Sequence, residues 1–180
     1  MLGLMQDWPL LVTKVLDHAR QYHPEREIVS RSVEGPIHRY TYADLHARSK
    51  RCAKALTRLG MREGDVLATL AWNTHRHMEC WYGIMGIGAV CHTLNPRLFI
   101  DQLAYIANHA GDRYLFLDLT FVPIAEAMAP RCPSIEGYVI LTDRAHMPAS
   151  TKLPNVICYE ELLAAEDEDF AAEELAGRIR

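Results

Sequence analysis

The middle of the chain alternates between helical and strand patterns of hydrophobic residues. The clearest helical pattern follows Thr41, where five residues share one face: Leu45, Ser49, Cys52, Leu56 and Leu59. Thr41 and Asp44 have the spacing of a capping box, and Gly60 suits the left-handed residue that ends a helix. Basic residues occupy much of the remaining surface: Arg48, Arg51, Lys54 and Arg58. The pattern therefore predicts a half-buried helix.

Short apolar runs of strand length then alternate with helix-length segments. The strands are predicted at 66–71, 90–94, 114–117 and 138–141, and the helices at 75–87, 101–109 and 122–128. Parallel strands need a connection about as long as a helix, and right-handed crossovers lay those helices against the sheet. The pattern predicts an α/β fold: a mostly parallel sheet with helices on both faces.

The flanking segments are less regular. Segments 27–33 and 37–40 predict a small antiparallel hairpin near the N-terminus, with Glu34-Gly35-Pro36 as its turn. Before it, Asp7 and Pro9 indicate the start of a helix along which Leu11, Val15 and His18 share one side. Residues 142–155 form a polar stretch without a clear period, and 159–165 predict a short helix. We expect an α/β unit over 1–165 and an acidic linker or tail over 166–180.

Composition narrows the class of protein. The 180 residues are enough for one domain, and 49% hydrophobic residues can form a substantial core. A net charge of −4 argues against a nucleic-acid surface. The longest apolar stretch, 80–90, is shorter than the ~20 residues of a membrane span, and Asp7 interrupts the only candidate for a signal peptide. Five widely spaced cysteines without a CxxC pair favour reduced thiols, so we expect a cytoplasmic location.

An ordered set of short motifs gives a family resemblance. Its pieces are Tyr40-Thr41-Tyr42, the segment 56–60, Glu63-Gly64-Asp65, Asn73, the segment 86–90 and the segment 94–98. In this order they resemble the N-terminal part of AMP-forming acyl-CoA synthetases. Segments 73–79 and 92–98 most resemble the medium- and long-chain fatty-acid–CoA ligases. The resemblance covers roughly residues 25–165.

The resemblance implies an activity for a complete enzyme and none for this chain alone. The complete enzyme would convert a fatty acid, ATP and CoA to acyl-CoA, AMP and pyrophosphate through an acyl-adenylate, with Mg²⁺ present. Its phosphate-binding loop is rich in glycine, serine and threonine and carries a lysine, because close backbone approach to phosphate needs glycine. The family places that loop beyond the position of Arg180. We therefore expect no catalytic residue, no metal ligand and no bound cofactor in this chain.

The resemblance also bears on partners. In the fatty-acid ligases the extreme N-terminus contributes to a homodimer contact, so residues 1–16 either lie between two subunits or pack on their own domain. A homodimer is the expected state.

Ligands of open α/β sheets bind at the carboxyl ends of the strands. That rule points to three strand ends: Trp72-Asn73, Asn95-Pro96-Arg97 and Asp118-Leu119-Thr120. From these, Trp72, Asn73, Asn95 and Arg97 are the candidate substrate-binding residues. Arg97 would meet an anionic group such as a CoA phosphate, and Trp72 would border an acyl chain. The alternative is structural: Asn73 caps its helix and Asn95-Pro96 forms an ordinary turn.

Two further groups of residues favour structural interpretations. The glycines of segment 83–88 close a helix instead of opening one, so close packing of helix on sheet explains them better than a dinucleotide loop. His75 and His77 are two residues apart and point to different sides of a helix, which disfavours a shared metal; His75 and Glu79 are spaced to pair on the surface.

One position departs from the family pattern. Phe99-Ile100 stand where the family has a hydroxyl residue and proline, which leaves Asp101 as the expected helix cap.

Two alternatives to an enzyme fragment are open. The chain is either a non-catalytic interaction or dimerisation module, or a receiver-like signalling domain with Asp118 as the phosphate acceptor. The second lacks the acidic pair that such chemistry needs after the first strand, where Ala71-Trp72-Asn73 stand.

Overall fold

A computed structural model describes residues 10–167. The helices are α1 Thr13–Tyr22, α2 Tyr42–Arg58, α3 His75–Gly86, α4 Ile100–Ala110, α5 Val122–Met128 and α6 Tyr159–Ala164. The strands are β1 Glu27–Arg31, β2 Ile37–Thr41, β3 Val66–Leu70, β4 Val90–Thr93, β5 Tyr114–Leu117, β6 Gly137–Ile140 and β7 Val156–Cys158. Short 3-10 turns cover Leu119–Phe121, Ala129–Arg131 and Arg144–His146.

Five strands form one parallel sheet in the order β4-β3-β5-β6-β7. β1 and β2 form a separate antiparallel hairpin, in which Glu27 lies opposite Thr41. Both predictions are confirmed. The sequence pattern did not predict β7, because this three-residue edge strand follows a polar stretch and is too short to show a period.

Each face of the sheet is covered by its own apolar layer. Along β5, Phe116 packs toward α2, α3 and α6, whereas Leu115 and Leu117 pack toward α4 and α5. All three side chains are fully buried. Parallel strands buried on both faces have continuous apolar sequences without the alternation of an exposed strand, and β5 has such a sequence. The helices therefore lie on both faces, as predicted.

The glycines of segment 83–88 have a different packing role from the one predicted. A Cβ on Gly83 would lie 2.7 Å from Cys52 Sγ on α2, so this glycine permits close packing of two helices, not of helix on sheet. Gly88 has φ +74°, which suits the turn from α3 into β4. As expected, the glycines end a helix and lead into a strand.

The helix starts confirm one predicted cap and correct two. At α2, Asp44 N–H donates to Thr41 Oγ1 and Thr41 N–H donates to Asp44 Oδ2, a complete capping box. At α3, Thr74 occupies the cap position and its hydroxyl accepts from His77 N–H, so Asn73 is not the cap.

Asp101 is not the cap of α4 either. The helix begins one residue earlier, and the Gln102 side chain accepts the Phe99 N–H at 3.1 Å. Gln102 is the third residue of the helix, where a side chain can reach back to the cap position, whereas Asp101 is too close. The Asp101 carboxylate pairs with Arg131 instead.

The first helix starts later than its predicted signals. α1 begins at Thr13, and the predicted start signals Asp7 and Pro9 lie outside the described residues. Val15 and His18 lie on the exposed side of α1, while Leu16 is its buried residue.

At the other end of the described chain, Glu166 and Asp167 pair with Arg58 and Lys54 of α2. The remaining acidic segment predicted at 166–180 lies outside the described residues. Within residues 10–167, no helix has the length and hydropathy needed to cross a bilayer.

Candidate functional site

The carboxyl ends of the parallel strands bring several predicted residues to one edge of the sheet. Trp72 and Asn73 follow β3, Asn95 and Arg97 follow β4, and Asp118 follows β5. Because parallel strands end at the same edge, residues far apart in sequence meet there. This edge is the candidate site.

Trp72 is held by its backbone while its ring stays accessible. Its N–H donates to Asp118 Oδ2 at 2.6 Å, and its carbonyl accepts from Thr74 N–H at 2.8 Å and from the His77 ring at 3.1 Å. The indole packs on Phe121 with ring centroids 5.1 Å apart, yet 49% of Trp72 is exposed. A fixed, half-exposed aromatic ring is suited to contact an apolar ligand.

His77 is one of the groups that hold this loop, a role that the sequence pattern did not indicate. Because a carbonyl only accepts, Nδ1 must carry the proton that bonds Trp72. Nε2 then accepts from the Thr69 hydroxyl at 2.9 Å. Burial lowers the pKa of His77, which keeps the ring neutral and this tautomer in place. The sequence showed His77 only as a polar residue in the first turn of a predicted helix, which does not indicate a role in holding the loop.

Asp118, which the strand-end rule also indicated, is the second group that holds this loop. It is 1% exposed, and burial raises its pKa to about 6 while the Trp72 N–H lowers it. An acid at the end of an apolar strand was the available signal. The receiver-like interpretation needs an accessible carboxylate beside metal-binding acids, whereas this carboxylate is enclosed and bonded to a backbone amide.

A cleft of about 240 Å³ lies beside the Trp72 loop. Its lining is Asn73, Thr74, His77, Met78 and Trp81. Met78 and Trp81 are exposed, so the lining is largely apolar with an amide at one side. Asn73 thus faces a cleft instead of capping α3.

Asn95 and Arg97 lie in the turn after β4. Asn95 Oδ1 accepts from Arg97 N–H at 3.0 Å, so the Asn95 side chain is used in the turn, as the structural alternative predicted. Both residues are exposed, which leaves the Arg97 guanidinium open to solvent.

A buried ionic network lies next to the same edge, and it corrects the expected surface pair of His75 and Glu79. Glu79 is 0% exposed; it accepts from Arg48 Nε at 2.8 Å and from the Tyr159 hydroxyl at 3.0 Å. Burial raises the pKa of Glu79, and the Arg48 guanidinium opposes this rise. Arg48 reaches further to Glu160 at 2.9 Å.

Arg76 extends the network to the hairpin. Its Nε donates to Glu160 at 2.8 Å, and its Nη1 donates to Glu34 at 2.8 Å and to the Leu141 carbonyl at 3.2 Å. The network therefore joins α2, α3 and α6 to the hairpin turn and to the end of β6. Charged residues so far apart in the chain could not be paired from sequence spacing.

His75 has a separate environment. Its ring stacks on His38 with centroids 3.8 Å apart, and burial together with His38 and Arg76 lowers its pKa to about 3. His75 and His77 thus have different neighbours.

A parallel sheet covered by helices on both faces defines an α/β domain, the class in which ligands bind at the carboxyl edge of the sheet. The model of the family described as AMP-binding enzyme matches residues 16–176. The chain belongs to this family.

Relatives in the family are CoA ligases. The chain is 42% identical over 170 residues to a 3-methylmercaptopropionyl-CoA ligase of Ruegeria lacuscaerulensis, covering 94% of this chain and 31% of the relative. It is 38% identical to a medium-chain-fatty-acid–CoA ligase of Ectopseudomonas oleovorans, with the same coverage. It is 35% identical to a long-chain-fatty-acid–CoA ligase of Thermus thermophilus, covering 96% of this chain and 31% of the relative. The chain thus spans about 31% of the length of these relatives and aligns with their N-terminal region.

Solved structures show the same fold. An anthranilate CoA ligase in complex with anthranoyl-AMP superposes with a TM-score of 0.72 at 17% identity, over 92% of this chain and 30% of that protein. A putative long-chain-fatty-acid CoA ligase from Rhodopseudomonas palustris gives 0.70 at 22% identity, over 85% of this chain and 36% of that protein. The predicted fold class is confirmed.

Proposed function

We propose that the chain is the N-terminal portion of a fatty-acid–CoA ligase. The observation that carries this proposal is its 35–42% identity to three CoA ligases along at least 94% of its length. The unit is proposed to span residues 1–165, followed by an acidic linker over 166–180. We place the complete enzyme in the cytoplasm, where the five free cysteines, four of them buried, would stay reduced.

The complete enzyme would work in two steps. A carboxylate oxygen of the fatty acid attacks the α-phosphorus of ATP and pyrophosphate leaves, with Mg²⁺ as the counter-ion. The CoA thiol then loses its proton and attacks the acyl carbon, and AMP leaves. None of the residues from 10 to 167 is assigned to either step, so the isolated chain is expected to be inactive.

The role proposed for this chain is to bind substrate at the edge of its sheet. The clamped indole of Trp72 and the cleft lined by Asn73 suit the apolar chain of a fatty acid. The turn of Asn95 holds Arg97 in solvent, where its guanidinium would contact an anionic group such as a CoA phosphate.

The test compares Arg97→Gln with wild type in the complete gene product. Losing one charge-assisted contact is expected to raise the KM for CoA about tenfold and to leave the KM for the fatty acid unchanged. Arg131→Gln removes another exposed arginine, whose partner is Asp101, and serves as control. Equal KM values for CoA in all three proteins would refute the role of Arg97.

The same preparation tests the larger proposal. The complete product should exchange pyrophosphate into ATP when given a fatty acid, and the 180-residue chain should not. Exchange by the pure chain, or none by the complete product with any fatty acid, would contradict it.

A homodimer contact through residues 1–16 is the second part of the proposal. Leu10, Val12 and Val15 are exposed, and Val15 is 63% exposed although it is apolar. Val15→Glu should lower the sedimentation coefficient to that of a monomer, while Val29→Glu, an exposed position on β1, should not. A dimer that survives Val15→Glu would exclude this surface.

The non-catalytic interaction module remains the alternative. It predicts the same dimer but no exchange activity in the complete gene product, so the two experiments together separate these functions.

A further inference from the structure

Three potential metal ligands converge at the end of β6. Glu34 comes from the hairpin turn between β1 and β2, and Asp143 and His146 come from the loop that follows β6. One ligand atom from each residue lies within 4.8 Å of the other two. Residues more than 100 positions apart thus present two carboxylates and an imidazole to the same point.

Glu34 contributes an unusual carboxylate. Its side chain is 4% exposed, and Oε1 accepts from the Thr142 hydroxyl at 2.5 Å and from Arg76 Nη1 at 2.8 Å. The other oxygen, Oε2, is buried and has no hydrogen-bond partner within the described part of the chain. A buried carboxylate oxygen without a partner is unfavourable, because it has lost its water without replacement.

The Glu34 carboxylate is held in one orientation by the Thr142 hydroxyl and the Arg76 guanidinium. This leaves the unpartnered oxygen Oε2 in a fixed position.

Asp143 and His146 form the adjustable side of the cluster. Asp143 Oδ1 accepts from His146 N–H at 3.0 Å and from His146 Nδ1 at 2.7 Å, within the short 3-10 turn. Both side chains are about half exposed. Ligand atoms around a tetrahedral zinc lie roughly 3.3 Å apart, so these two side chains would need to move only slightly toward Glu34.

We propose that Glu34, Asp143 and His146 bind a divalent transition metal, with Zn²⁺ as the best fit. Carboxylate oxygen and imidazole nitrogen are both zinc ligands, and water would complete a four-coordinate site. The positive charge of Arg76 opposes the metal, and its second partner, Glu160, offsets part of that charge. This inference does not depend on the proposed ligase function.

The metal would join the hairpin turn to the sheet. Because the ligands come together only in the folded chain, Zn²⁺ should stabilise the fold increasingly as its concentration rises above Kd.

The experiment titrates the full 180-residue chain with Zn²⁺ by calorimetry and with Co²⁺ by visible absorption. Wild type should bind one equivalent with the absorption of a four-coordinate site, and its thermal midpoint should rise with Zn²⁺. His146→Ala should raise the Kd at least about tenfold, since it removes one of three protein ligands. Asp143→Asn should weaken binding similarly.

His46→Ala provides the matched control. His46 also pairs with an aspartate, Asp17, at 3.3 Å, but the described structure places no third ligand there. Its removal should leave the Kd unchanged. The proposal is overturned if wild type binds no stoichiometric metal, or if His146→Ala and Asp143→Asn bind as tightly as wild type while retaining its circular dichroism spectrum.

Discussion

At the scale of single residues, the candidate site depends on buried polar groups that hold exposed ones. Trp72 is available to a ligand because Asp118 and His77 hold its backbone. Both of these residues are buried. Burial raises the pKa of Asp118 and lowers the pKa of His77, and so favours the uncharged form of each side chain. Trp72 and Asp118 were predictable from sequence as strand-end residues, whereas the role of His77 and the contact of Asp118 with the Trp72 backbone were not.

Asp118 should make stability depend on pH. Its pKa in the fold is about 6, above the ordinary value of 3.8, so its contribution is fully present below pH 3.8 and declines as the pH rises through 6. In Asp118→Asn the side-chain oxygen can still accept from the Trp72 N–H. Because an amide does not titrate, the variant should not lose this stability as the pH rises. Urea unfolding should show the variant gaining about 1 kcal/mol relative to wild type between pH 5 and pH 8.

The control for this prediction is Asp101→Asn, which alters an exposed carboxylate. A stability difference between Asp118→Asn and wild type that is the same at both pH values would show that the pKa of Asp118 is not raised.

At the scale of elements, the contact of α2 with α3 depends on a missing side chain. The Cβ of an alanine at position 83 would lie 2.7 Å from Cys52 Sγ and 3.2 Å from the Ser49 carbonyl oxygen. One of these contacts is with backbone, so the helices themselves would have to separate. Gly83 thus permits the close packing of α2 on α3. The order of glycines in the sequence could not distinguish this contact from the packing of a helix on the sheet.

Overpacking in Gly83→Ala should cost about 1–3 kcal/mol, and the gain in helix propensity of about 1 kcal/mol offsets part of this cost. The expected net destabilisation is therefore up to about 2 kcal/mol. Gly86→Ala is the matched control on the same helix, since its nearest neighbours to an added Cβ are 3.9 Å away. It should be neutral or slightly stabilising. Chemical denaturation of both variants measures the contrast, and equal stabilities would show that α2 and α3 are not in close contact at Gly83.

At the scale of the whole molecule, the buried ionic network joins parts that are distant in sequence. Arg48 lies on α2, Glu79 on α3 and Glu160 on α6, and Arg76 links them to Glu34 in the hairpin turn. The network holds the antiparallel hairpin, which shares no strand pairing with the five-stranded sheet in the described chain, against that sheet.

Arg48→Met should be strongly destabilising, by about 3–5 kcal/mol, because it leaves the fully buried Glu79 without its charged partner. Arg39→Met, which removes an exposed ion pair with Glu27, should cost at most about 1 kcal/mol. Thermal and urea unfolding of the two variants tests the difference. A cost for Arg48→Met no larger than that for Arg39→Met would show that Glu79 is not buried as a charged pair.

The sequence by itself determined the α/β fold, the hairpin, the capping box at Thr41 and the family, because these depend on local periodicity and on ordered motifs. Only the tertiary structure decided which partners meet. In the fold, Glu79 is buried beside Arg48, and the Asp118 carboxylate accepts a hydrogen bond from the Trp72 N–H. Glu34 lies close to Asp143 and His146. Such contacts join residues tens of positions apart, and their energies depend on burial, which spacing along a chain does not encode.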